Sequence, residues 1–102
     1  MGGTAENGAD PHRWAAMTTI TILYFAALRE ALGTERETVE LPAQVGNAGQ
    51  LRDWLRARGD IWAAALAPER AVRVAVDQAM AGPDTPLRPG AEVAFFPPVT
   101  GG

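Results

Sequence analysis

A chain of 102 residues, 47% of them apolar, with a net charge of −3, has the size and makeup of one globular domain, without room for a deep cleft between domains. It contains no cysteine and one histidine, His12, which excludes a disulfide framework and any thiolate-bound metal and leaves a lone imidazole without converging ligands. All nine basic residues are arginines, spread singly, so no clustered basic face for a nucleic acid is expected.

No apolar run reaches the roughly 18–20 residues that span a bilayer. No basic segment followed by an apolar stretch opens the chain as a secretory signal would. The expected compartment is the cytoplasm, with no membrane and no nucleic-acid partner.

Residues 1–16, MGGTAENGADPHRWAA, are rich in glycine, alanine and polar residues and have no usable period. They predict a disordered leader, with order starting near Met17. From Thr18, TTITILYF is β-branched and aromatic and predicts a strand. AALREALG follows, with Leu28 and Leu32 four residues apart and Gly33 placed to end a short helical turn. RETVEL alternates and predicts a second strand with Val39 and Leu41 on one face. Glu35, Glu37 and Glu40 are expected on a solvated surface there.

NAGQLRDWLRARG is the clearest helix. Asn47 can cap it, with Gln50 three residues on as in a capping box, and Gly59 can terminate it. Leu51, Trp54 and Leu55 form an apolar stripe for the core, while Arg52, Asp53 and Arg56 are expected to face water. Asp60 can cap a further short helix that stops before Pro68. Val72, Val74 and Val76 predict a strand, Asp77–Gln78 a bend, and Met80 a short extended piece. Pro83–Asp84 and Pro89–Gly90 are turn signals, the second suited to a type II turn. EVAFF is the last strand, closed by Pro97–Pro98. The fold this order implies is an α+β roll, a small mixed sheet with one main helix across a face.

Catalytic equipment is missing. The chain has no lysine, hence no phosphate-binding loop of the Lys-Ser or Lys-Thr kind, and its one histidine lies in the leader, so no Ser/His/Asp set can form. Attention moves to the last residues, FFPPVTGG. Pro97 and Pro98 cannot donate ladder hydrogen bonds and favour an extended path away from the sheet. Gly101 and Gly102, without Cβ atoms, can lie in a channel too narrow for side chains. The α-carboxylate at the tip, with a reference pKa of about 3.3–3.7, is ionised and unreactive as an electrophile at neutral pH. Coupling to a nucleotide phosphate by a partner enzyme would activate it. A sulfur nucleophile then makes a thiocarboxylate, and an amine makes an amide. With neither thiol nor lysine, the chain has no side chain of its own to intercept that activated end.

FFPPVTGG, together with YFAALREALG after the first strand and VAVDQ before the last turns, resembles the small subunit of molybdopterin synthase, a family of ubiquitin-like β-grasp sulfur carriers. The resemblance covers residues 17–102. It implies that an adenylating partner activates the terminal glycine with ATP and that a sulfur-donor protein completes the thiocarboxylate. It further implies that the large subunit takes the tail into its active site, where sulfur passes to cyclic pyranopterin monophosphate. By that resemblance Gly102 carries the sulfur and Gly101 supplies clearance. No permanently bound cofactor is expected, and the assembly implied is an α₂β₂ hetero-oligomer.

Alternation along EVAFF places Val93 and Phe95 in the core and leaves Phe96 free to anchor a partner at the root of the tail, beside Pro97 and Pro98. Met80, flexible and apolar between two turns, is a second contact, and Arg29 a charged rim contact. Three other readings share these features. They are a ubiquitin-like modifier conjugated through its terminal glycine, a thiamin-pathway sulfur carrier, and a plain binding domain. The FFPPV run and the chain length favour the pterin pathway over the thiamin one.

Overall fold

The computed structural model describes residues 18–98. The expected leader, His12 and the tip of the tail lie outside the described residues. Strand β1 (Thr18–Tyr24) buries Ile20, Ile22 and Tyr24 on one face, the period-2 consequence of its TTITILY sequence. Helix α1 (Ala26–Leu32) follows and buries Leu28. Gly33 ends it in the left-handed conformation, φ 74°, where its N–H reaches the Arg29 carbonyl. Strand β2 (Arg36–Leu41) returns antiparallel to β1, with Leu41 opposite Thr18 and Arg36 opposite Leu23.

Helix α2 (Ala48–Arg56) starts at Asn47, whose side chain accepts from the Gln50 N–H at 2.8 Å. The Gln50 side chain reaches back one residue further than in a capping box, to the Gly46 N–H. Leu51 and Leu55 are fully buried, and Trp54 packs at the edge of the same cluster. The helix ends at Ala57 rather than at Gly59, which instead precedes helix α3 (Asp60–Ala65) as its N-cap residue. Asp60 is therefore the first helical residue and makes no side-chain cap. Its carboxylate sits in the first turn, where the helix dipole favours it.

Strands β3 (Arg73–Val76) and β4 (Ala79–Ala81) form a hairpin through Asp77 and Gln78, both at positive φ, as a two-residue type I′ turn requires. The Pro89–Gly90 turn closes with the Ala91 N–H on the Arg88 carbonyl and Gly90 at φ 83°, the type II form. It leads into strand β5 (Glu92–Phe96). The five strands lie in the order β2-β1-β5-β3-β4, with β5 parallel to β1 and antiparallel to β3. The expected α+β roll is present, with α2 as the main helix and all helices on the face that carries Ile22, Val93 and Phe95.

Candidate functional site

The tail leaves from the middle of the sheet. β5 is held on both sides, by β1 and β3, and its inward residues Val93 and Phe95 are 0% and 1% exposed. Phe95 stacks on Tyr24 with ring centroids 6.2 Å apart, and its carbonyl accepts from the Phe25 N–H at 3.1 Å. The root of the tail is therefore rigid, and the chain steps from it directly into half-buried Pro97 and Pro98. Gly101 and Gly102 lie outside the described residues.

Phe96 points to the face of the sheet opposite the helices and is half-buried there, across from Arg73. Met80 belongs to the same open face: the register runs Arg36, Leu23, Ala94, Ala75 and Met80 in one row across all five strands. Met80 is 60% exposed. The structure thus brings Phe96, Met80, Leu23, Ala94 and Ala75 into one apolar patch flanked by Arg36 and Arg73. Arg29 stands apart from that row, on exposed α1, where it pairs with Glu35 at 3.5 Å. Phe25, 47% exposed and bonded to the backbone at the tail root, was not singled out from the sequence. The alternation of TTITILYF carried the signal, since Phe25 falls in phase with Thr21 and Leu23 and out of phase with Tyr24.

Two sequence expectations are corrected by tertiary contacts. Glu37 is not on a solvated face: it lies opposite buried Ile22, and its Oε2 accepts from the Tyr24 hydroxyl at 2.7 Å and from Arg58 at 2.8 Å. Arg58 in turn lies over Trp62, 4.5 Å from its centroid, and over Trp54. Arg52 is half-buried and is not free in water. Its guanidinium donates to the carbonyls of Leu66, Ala67 and Arg70, closing the loop after α3, and desolvation holds its pKa below the ordinary arginine value. Glu40, by contrast, is exposed as expected.

Among the described residues nothing assembles into an acid–base or nucleophilic constellation. The Tyr24 phenol is pushed up first by burial and then by Glu37, so it stays protonated and serves as a hydrogen-bond donor. No group of three or more metal-ligating side chains occurs among the described residues, and no helix among them is long and apolar enough to cross a membrane. The first donors of α2 are already taken, Ala48 N–H by the Thr85 carbonyl and Gly49 N–H by that of Pro83. That helix end is therefore no anion site. What the described residues offer is a rigid exit for the tail and an apolar face beside it.

Comparison with known proteins agrees with this picture. The Escherichia coli (strain K12) molybdopterin synthase sulfur carrier subunit is 43% identical over 83 residues, which are 81% of this chain and 99% of that one. The Haloferax volcanii small archaeal modifier protein 1 shares the fold, with a TM-score of 0.64 and 22% identity over 80% of this chain and 99% of its own. So does a chain from the Helicobacter pylori complex of subunits 1 and 2 of molybdopterin-converting factor, with a TM-score of 0.57 and 18% identity over 83% of this chain and 100% of its own. The sequence model of the ThiS family matches residues 22–102. A ubiquitin-like β-grasp sheet, matched over most of its length by that family and by a full-length sulfur-carrier relative, establishes that the chain belongs to the ThiS family.

Proposed function

We propose that this chain is the sulfur carrier of molybdenum cofactor biosynthesis and the small subunit of a molybdopterin synthase. The observation that carries the proposal is the 43% identity to a sulfur carrier subunit over nearly that subunit's whole length. It is supported by a central strand, β5, that delivers the tail from a rigid root.

In the proposed cycle a ubiquitin-activating-like adenylyltransferase joins the Gly102 α-carboxylate to the adenylate of ATP, releasing pyrophosphate. A sulfur-donor protein then supplies sulfur that displaces AMP and leaves the thiocarboxylate. The large subunit takes the tail into its active site, where the sulfur passes to cyclic pyranopterin monophosphate and water supplies the oxygen that returns Gly102 to a carboxylate. Gly101 gives the clearance a narrow channel needs, because it has no Cβ. Phe96 and Met80 dock the large subunit through the open sheet face, Pro97 and Pro98 hold the tail extended, and Arg29 contributes at the rim. The solved complex of the two Helicobacter pylori subunits supports a large-subunit partner. An α₂β₂ assembly in the cytoplasm completes the reading. The chain itself contributes the carried group and the docking surface.

The fold shared with an archaeal modifier protein favours one second reading, conjugation of Gly102 to amines of target proteins. Intact mass of the protein from its own cells separates the two. The carrier gains only the difference between oxygen and sulfur, while a modifier appears as large adducts. Deletion of Gly102 is expected to abolish sulfur transfer and leave the fold and docking in place. Wild-type activity in that deletion would refute the proposal.

A further inference from the structure

β4 is three residues long and pairs only with Val74, Ala75 and Val76. On its other side β3 is covered by β5 as far as Arg73. The outer edge of residues 71–73 thus has no strand beside it among the described residues. An uncovered edge presents N–H and C=O groups ready to pair with an extended chain.

A groove of about 390 Å³ runs along this edge, between α2 and the end of β4. Gly49, Val72, Val74 and Pro83 give it apolar walls. Among the described residues its only charged lining groups are Arg52 and Arg73, and no carboxylate lines it, in a chain of net charge −3. Arg73 is exposed and makes no ion pair among the described residues. Arg52 is held in place by the carbonyls of the 66–70 loop, so its positive charge is fixed at the groove rather than swinging in solvent. Pro98 lies at the groove, which therefore opens beside the root of the tail.

We propose that this groove takes an extended acidic segment of a partner protein, added as a strand beside residues 71–73 with its carboxylates on Arg73 and Arg52. Backbone pairing along the edge supplies affinity, and the two guanidiniums select carboxylate over amine side chains. Met80 and Arg73, which lies opposite Phe96, join this groove to the open face that carries Phe96 and Leu23. A partner can therefore hold both sides of the sheet edge while the tail is in its active site. The inference does not depend on sulfur chemistry. Deleting Gly102, which abolishes transfer under the proposed function, leaves binding here unchanged, so the two readings fail separately.

The test is a nuclear magnetic resonance titration of the ¹⁵N-labelled full chain with acetyl-Val-Glu-Val-Glu-Val-amide and, separately, with its Lys-for-Glu counterpart. The acidic peptide is expected to give saturable shifts at the amides of Ala71, Val72, Arg73, Ala81 and Gly49, and the basic peptide none. Arg73→Glu, checked as folded by its own spectrum, is expected to weaken the acidic peptide by about tenfold or more, the worth of one charge-assisted hydrogen bond. The proposal is overturned by equal responses to the two peptides, by an unchanged response in Arg73→Glu, or by no saturable shift. Shifts that map instead to Leu23, Ala75 and Phe96 also overturn it. So do changes in the groove signals on deleting residues 99–102, which would assign the groove to the chain's own tail.

Discussion

The Tyr24 hydroxyl donates to Glu37 Oε2 across 2.7 Å, on the diagonal between neighbouring strands β1 and β2. Arg58 donates to the same oxygen from the loop between α2 and α3. One carboxylate thus pins the helical layer to the sheet. Burial is the largest influence on Glu37 and pushes its carboxyl up, but the hydrogen bonds from Arg58 and Tyr24, with the Arg58 charge, outweigh it and hold the carboxyl below the ordinary value.

The signs of the two shifts give opposite pH limbs. A carboxyl lowered in the folded state adds stability above its unfolded pKa and loses it as pH falls through the folded value. A phenol raised in the folded state adds stability below its unfolded pKa of about 10 and loses it as pH rises beyond. The chain has one tyrosine and no lysine, so no lysine titration overlaps the alkaline limb. Denaturant midpoints measured against pH are expected to fall above about pH 10 in the wild type and to lack that fall in Tyr24→Phe. Glu37→Gln is expected to flatten the acid limb. An alkaline fall of the same size in Tyr24→Phe would assign it elsewhere.

Gly49→Ala is expected to destabilise, against the usual gain of replacing a helical glycine by alanine. A Cβ at residue 49 would stand 3.0 Å from Pro83 Cβ and 3.2 Å from its carbonyl oxygen. Neither atom is the end of a flexible side chain, and the Gly49 N–H bond to that same carbonyl holds the two segments together at 2.9 Å. Overpacking of this kind costs about 1–3 kcal/mol. Thermal or urea unfolding reads the sign directly.

The local elements were legible because their causes are local. The β-branched run from Thr18 marked β1, and Asn47 announced the start of α2. Glu37 was misread although it falls in phase with Val39 and Leu41 and shares their face. What buries it are partners 13 and 21 residues away in sequence, Tyr24 and Arg58. Arg52 was misread for the same reason, since the carbonyls it binds lie 14 to 18 residues further along. Phe96 and Met80 were each read as exposed apolar residues. That they share one face needed the register of β5, β3 and β4, which no sequence period reports.

Arg52→Lys tests the second of those contacts. The guanidinium serves three carbonyls from two of its nitrogens, a forked geometry that a single ammonium cannot reproduce. Loss of at least one charge-assisted bond is expected to cost about 1.5–3 kcal/mol in equilibrium unfolding. Hydrogen exchange should rise first in the 66–70 loop. A stability equal to wild type would show that water replaces the fork without loss.

Phe95 and Phe96 are neighbours in sequence on opposite faces of the sheet, and substituting each by alanine separates their effects. Phe95 is 1% exposed and stacked on Tyr24 in the core. Phe95→Ala is expected to cost about 3–5 kcal/mol of stability, the range for a buried phenylalanine. Phe96 faces the other way, half-buried on the open face across from Arg73. Phe96→Ala is expected to leave the domain folded and to weaken binding to the large subunit by about 2 kcal/mol or more, as an aromatic anchor at an interface does. Calorimetric titration of the folded variant against that subunit is the measurement. Unchanged affinity would remove Phe96 from the docking surface, and Met80→Ala would then show whether the open face docks at all.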